Sequence, residues 1–306
     1  MSIKAENIKY IYGEGTAFVT VALDDVNVEI HKGDFLGIIG HTGSGKSTFI
    51  QLLNGLEKPT QGKITVDGIV VGEDKKLLSK IRQTVGLVFQ YPEYQLFEET
   101  VAKDVAFGPA NLKLSEDEIN ERVRDSLEMM GFNYEKIKDV SPFDLSGGQK
   151  RRVAIAGVMA MKPSYLVLDE PTAVLTPQEV CELFATVRQL TGEGLDPAGR
   201  NELFAQINRL HEKSGVTIIL VSHSMEDIAR LVNRVIVMYK GKVHMEGTPK
   251  EIYSHPDELE KIGLGVPQIA EVVYELRKRG FNIRPDIITV KEAKEEILRE
   301  VRKRRA

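Results

Sequence analysis

Residues 40–48 read Gly-His-Thr-Gly-Ser-Gly-Lys-Ser-Thr, and Gly40 through Ser47 fill the pattern G-x-x-x-x-G-K-[ST]. The pattern needs a strand before it and a helix after it, because it wraps backbone amides around a phosphate at a helix start. Phe35-Leu36-Gly37-Ile38-Ile39 is an apolar run of strand length, and Thr48-Phe49-Ile50-Gln51-Leu52-Leu53 reads as helix. Gly43 and Gly45 let the loop curl with its N–H groups inward. A helix beginning near Lys46 adds free N–H groups and the positive end of its dipole. Gly40, His41, Thr42, Gly43, Ser44, Gly45, Lys46, Ser47 and Thr48 are therefore the candidate phosphate-binding residues. Lys46 would reach the β- and γ-phosphates, and the Ser47 hydroxyl would sit on Mg²⁺.

A second element carries acids. Tyr165-Leu166-Val167-Leu168 is a buried-strand run that ends in Asp169-Glu170. A parallel strand beside the cradle strand would place both carboxylates at its C-terminal edge, where open α/β sheets bind ligands. Asp169 would then help to hold Mg²⁺, and Glu170 would polarise an attacking water.

The composition fits one large α/β domain with an appendage: 306 residues, 42% hydrophobic. A net charge of −4 argues against general nucleic-acid binding. No run approaches the ~18–20 apolar residues of a membrane span, and no charged-then-apolar leader opens the chain. The expected location is the cytoplasmic face of the cell membrane, reached through partners. The single cysteine, Cys181, cannot form an internal disulfide, which fits a reducing compartment.

The cradle, Leu145-Ser146-Gly147-Gly148-Gln149 and Asp169-Glu170-Pro171-Thr172 together resemble the nucleotide-binding subunits of ABC transporters over roughly residues 3–250. The resemblance implies an ABC-type P-loop ATPase: a RecA-like core, an antiparallel β subdomain, a helical subdomain and a small C-terminal α+β extension. It implies ATP and Mg²⁺ as ligands and a dimer sharing two nucleotides. Ser146, Gly147, Gly148 and Gln149 would face the γ-phosphate held by the partner subunit. A helix start at Ser146 agrees with that physically. Gln90 matches the family's glutamine that touches the metal and senses the membrane partner. His223 matches its γ-phosphate-sensing histidine. Tyr12 would stack on adenine, with Tyr10 as the competing choice.

A narrower resemblance lies in Gln90-Tyr91-Pro92-Glu93-Tyr94-Gln95-Leu96-Phe97-Glu98-Glu99-Thr100-Val101 and the following Asp104-Val105-Ala106-Phe107-Gly108-Pro109. These look like the energy-coupling-factor transporter ATPases, which power uptake of vitamins and some transition-metal ions. The resemblance implies that Tyr91–Phe97 receives a transmembrane coupling component, and that a separate membrane subunit binds the solute. On the residues alone, Leu96 and Phe97 beside Glu93 and Glu98 make a small sticky, acidic patch. Residues 141–157 look most like the second of that family's two ATPases, so a paralogous ATPase is the expected partner, a homodimer being the other possibility. Rival readings are the ATPase of another ABC importer and a soluble ABC-type mechanochemical ATPase.

The expected layout is a nucleotide-binding domain over 1–250, with a helical subdomain over about 90–157, and an extension over 251–306. Ser115-Glu116-Asp117-Glu118 opens a helix ending at Gly131, and residues 235–247 read as a hairpin turning at Lys240-Gly241. A helix starts near Gln268, Pro285 breaks the chain, and Thr289 caps a last helix with a basic end.

One segment departs from the family. Residues 174–193 align with 194–213 at an offset of 20: Leu175, Pro177, Glu182, Leu183, Phe184, Ala185 and Leu190 match Leu195, Pro197, Glu202, Leu203, Phe204, Ala205 and Leu210. This resembles a duplicated loop-and-helix unit. A 20-residue shift turns a helix by roughly 200°, so both copies cannot bury one face as a single helix. Thr176 keeps the family's spacing from Glu170, whereas Asp196 keeps its residue type, and either could fill the interface position.

Overall fold

The computed structural model describes residues 1–171 and 216–305. The duplicated unit, with Thr176, Cys181 and Asp196, lies outside the described residues. The chain divides into two compact units, Met1–Val71 with Ile219–Ala306, and Gly72–Ile218.

In the first unit, β1 (Ser2–Tyr12) and β2 (Thr20–His31) pair antiparallel, from Ser2↔His31 to Tyr12↔Thr20. The turn between them closes with Thr16 N–H donating to the Gly13 carbonyl at 2.9 Å. β1 buries Ile3, Ala5, Ile8 and Tyr10, while its other side chains stay at least partly accessible, as one covered face requires. Its other edge takes β4 (Gln61–Val66), followed by the two-residue β5 (Ile69–Val70), giving the order β2-β1-β4-β5.

β3 (Phe35–Ile39) is buried at every residue, the pattern of a parallel strand covered on both faces. It leads into α1 (Lys46–Leu53), which buries Phe49, Ile50, Leu52 and Leu53. Later in the chain come α2 (Leu78–Thr84), β6 (Val85–Val88), α3 (Val101–Ala110), α4 (Glu116–Met129), α5 (Tyr134–Ile137), α6 (Gly147–Met159), β7 (Tyr165–Asp169) and β8 (Thr217–Val221). α7 (Met225–Leu231), β9 (Arg234–Tyr239) and β10 (Lys242–Gly247) follow. β3 lies between β8 and β9, and it pairs parallel with β9 from Leu36↔Arg234 to Ile39↔Val237. β7 and β8 are both buried at every residue.

The first unit also carries the C-terminal helices α8 (Pro249–Tyr253), α9 (Pro256–Lys261), α10 (Gln268–Lys278) and α11 (Val290–Arg305). Their small core joins Val273, Ile283, Ile287 and Ala293 with Ile269, Leu276, Phe281 and Ile297. The extension is helical rather than α+β among the described residues. Residues 281–289 bury Ile283, Ile287 and Ile288 without forming a strand, and Pro285 in their midst lacks the N–H a ladder needs.

In the second unit, β6 pairs parallel with β7 from Val85↔Tyr165 to Val88↔Leu168. α4 starts where expected, Ser115 accepting a hydrogen bond from Glu118 N–H.

Candidate active site

The first unit carries the cradle. Gly45 caps α1 in a left-handed conformation (φ 101°), and Gly43 has φ 79°. Among the described residues no side chain caps this helix end by a hydrogen bond. A Cβ at Gly40 would lie 2.4 Å from the Met238 carbonyl oxygen and from Ser44 Oγ, and one at Gly45 would lie 2.6 Å from the Ala22 carbonyl oxygen. Lys46 is buried, and its Nζ donates to the carbonyls of Gly40 at 2.7 Å and His41 at 3.1 Å. Among the described residues, Ser44 Oγ is buried without a hydrogen-bond partner. A tightly wound loop with uncapped amides, a buried ammonium and an unpartnered hydroxyl fits a phosphate chain. Ser47 is exposed at the first turn, where a metal-bound hydroxyl would be needed.

Tyr12 and Tyr10 are separated by their surroundings. Tyr10 is buried, its hydroxyl donates to Glu57 Oε2 at 2.6 Å, and burial first, then this bond, pushes its phenol well above the ordinary tyrosine range. Tyr12 is 41% exposed, and its hydroxyl lies 3.2 Å from Thr48 Oγ1 on the cradle helix. The two rings meet edge to face with centroids 4.7 Å apart. Tyr12 thus has ring surface to offer a base, and Tyr10 does not. The His41 ring meets Tyr239 edge-on at 5.4 Å, a contact no sequence pattern announces. His223 follows β8 and is exposed. Its neighbours fix the backbone: Ser222 Oγ accepts from Ser224 N–H at 3.0 Å, and Ser224 Oγ accepts from Asp227 N–H at 3.3 Å to cap α7.

The second unit carries the acids and the serine-led helix. Asp169 ends β7 and is buried; Glu170 follows with φ 47°. Gln90 Nε2 donates to Glu170 Oε2 at 3.2 Å, so two of the expected site residues touch. Tyr91, next to Gln90, also has a positive φ of 60°. Ser146 caps α6 in a reciprocal box: its Oγ accepts from Gln149 N–H at 3.4 Å, and Gln149 Oε1 accepts from Ser146 N–H at 3.0 Å. The box employs Gln149's side-chain oxygen and leaves the amides of Gly147 and Gly148 for an outside acceptor.

Two features were not read from the sequence. Leu96 is buried, so it does not belong to an exposed patch; Tyr94 (84% exposed), Phe97 and Phe107 do, with the two phenylalanine rings edge to face at 5.0 Å. The structure also pairs buried Arg151 with Glu93, Nη2 to Oε1 at 3.2 Å. In the run Gln149-Lys150-Arg151-Arg152 nothing local marks Arg151 as the buried one.

Among the described residues, no group of three or more His, Cys, Asp or Glu side chains could hold a metal ion, and no helix is long and apolar enough to cross a membrane.

The family model described as ABC transporter matches residues 23–173. The energy-coupling factor transporter ATP-binding protein EcfA2 of Caldanaerobacter subterraneus subsp. tengcongensis is 55% identical over 302 residues, covering 99% of this chain and 98% of that protein. The chain belongs to the energy-coupling factor transporter ATP-binding proteins. EcfA2 of Clostridium perfringens is 54% identical, with 99% of each chain covered. Among solved structures, CbiO1 of Clostridium perfringens, described as part of the ABC transporter complex CbiONQ, superposes with a TM-score of 0.69 at 36% identity, covering 90% of this chain and 98% of that one. The ATP-binding cassette MJ0796, a dimer in a post-hydrolysis state bound to ADP and Pi, gives 0.65 at 30% identity, covering 81% and 98%. Membership of the energy-coupling factor ATPases bears out the expected fold class and family, and makes this chain an ABC-type transport ATPase.

Proposed function

We propose that Lys46 and the amides of residues 40–48 hold the triphosphate of ATP, that Tyr12 stacks on its adenine, and that Glu170 orients and activates the attacking water. The Gln90–Glu170 hydrogen bond carries this reading. It fixes the carboxylate through the loop that precedes the Tyr91–Phe97 segment, so a push on that segment bears on the hydrolytic acid. Ser47, Gln90 and Asp169 would hold Mg²⁺, which when bound neutralises charge building on the phosphoryl oxygens. His223 would contact the γ-phosphate. Ser146, Gly147 and Gly148 would contact the γ-phosphate held by the other ATPase of a dimer, with Gln149 bracing that tip.

The partner is proposed to be a paralogous ATPase. The exposed Tyr94, Phe97 and Phe107 are proposed to receive a transmembrane coupling component, with solute selection on a separate membrane subunit. The chain would then sit at the cytoplasmic face, coupling hydrolysis to uptake of a vitamin or metal ion. The proposed division remains 1–250 for nucleotide binding and 251–306 as the extension.

The test is Glu170→Gln in the assembled complex. ATP binding should persist while hydrolysis falls roughly 10²–10⁴-fold, the contribution of a positioned acid–base group. Turnover at the wild-type rate would remove Glu170 from the mechanism.

A further inference from the structure

Arg151 lies one turn into α6 and is buried, yet it is charged. Its Nη1 donates to the Pro171 carbonyl at 2.6 Å. Its Nη2 donates to Glu93 Oε1 at 3.2 Å and Oε2 at 3.3 Å, and its Nε to Oε2 at 3.4 Å. One planar group therefore joins three segments: the helix that Ser146 begins, the short 3₁₀ turn Pro92–Gln95 just after Gln90, and the residue directly after Glu170. The Gln90–Glu170 bond closes the same ring from its other side.

A core has no need of a charge here. A buried ion pair is often replaceable by apolar side chains without loss of stability, so its presence calls for another reason. Guanidinium geometry supplies one. Its donors point along fixed directions in one plane, so the three segments can shift together but not separately without breaking a bond to a buried charge.

We propose that Arg151 is a positioning residue that holds the Gln90 loop, the Ser146 helix tip and the Glu170 segment as one mechanical unit. A displacement of the Pro92–Gln95 turn by a docked partner is thereby transmitted to the hydrolytic carboxylate. This rests on the roles proposed above for Gln90, Ser146 and Glu170.

The experiment uses the membrane complex isolated through a tag on this chain, and measures kcat, KM for ATP and melting temperature. Arg151→Lys keeps the charge and loses the fork; Glu93→Gln removes the charge partner. Both should lower kcat about tenfold with KM within about twofold, because a mispositioned acid slows chemistry and not binding. Glu93→Leu/Arg151→Met leaves no buried charge alone, so it folds if either single variant does not. It should show the same loss of kcat at a near-normal melting temperature. Wild-type kcat in the double variant, or a fall in melting temperature with kcat intact in the singles, overturns the proposal. Glu170→Gln measured in parallel separates the two levels. If it hydrolyses normally, the underlying site is wrong; if it is inactive while the Arg151 and Glu93 variants turn over normally, only the positioning role fails.

Discussion

Gly45 and Gly43 both hold left-handed backbone, but the structure sets different penalties for giving each a side chain. At Gly43 (φ 79°) a Cβ meets no atom within 4 Å, so Gly43→Ala carries only the conformational cost, about 1–2 kcal/mol. At Gly45 (φ 101°) the same atom would lie 2.6 Å from the Ala22 carbonyl oxygen and 2.7 Å from Leu23 Cδ2. The strand bearing Ala22 must move, which adds the roughly 1–3 kcal/mol typical of forced overpacking. Gly45→Ala should therefore destabilise by about 2–5 kcal/mol, and Gly43→Ala by no more than about 2. Urea denaturation followed by far-ultraviolet circular dichroism, without nucleotide, keeps ligand linkage out of the comparison. Equal shifts in midpoint, or a larger one for Gly43→Ala, would refute the claim that close approach of β2, and not conformation alone, dictates glycine at position 45.

The tyrosines and the C-terminal extension give two more tests. Tyr12→Ala should weaken ATP binding roughly two- to tenfold, the value of an aromatic stack, whereas Tyr10→Phe should lower stability by about 1–3 kcal/mol through the stranded Glu57 and leave affinity unchanged; calorimetric titration beside thermal melting separates them, and equal affinity losses would reverse the assignment. Glu292 bonds Lys250 at 2.6 Å, and that bond holds its carboxyl below the usual glutamate value. A depressed folded-state value gives stability that is present above the ordinary glutamate pKa of about 4.3 and is lost as pH falls through the lower one. Melting of wild type and Glu292→Gln should accordingly differ at neutral pH and the gap should shrink as acid protonates the carboxyl; a gap that does not change as pH falls would show that the pair is not the cause.

The parts of this fold that were legible in the sequence are those whose signals are local. The cradle loop, the strand ending at Asp169, the Ser146 and Ser115 caps and the Lys240-Gly241 hairpin each depend on residues within a few positions of one another, and each formed where the spacing placed it. Leu96 is misleading in sequence. A leucine beside Phe97 and two glutamates reads as surface, but the 3₁₀ turn ends at Gln95 and Leu96 follows in extended backbone, where successive side chains alternate; Leu96 goes inward while Phe97 goes out. The different surroundings of Tyr10 and Tyr12 turn on Glu57, 47 positions from Tyr10. The Arg151–Glu93 pair spans 58 positions, beyond the reach of any periodicity.

The left-handed backbone at Glu170 sets a conflict of interest at one position. Any residue with a Cβ is held there against a bias of about 1–2 kcal/mol, which glycine would not feel. The role proposed for Glu170 asks for a carboxylate, and the peptide geometry asks for no side chain. A laboratory search for heat-tolerant versions of this subunit would be drawn toward glycine here, and would harvest sturdy, nucleotide-loaded molecules that no longer fire.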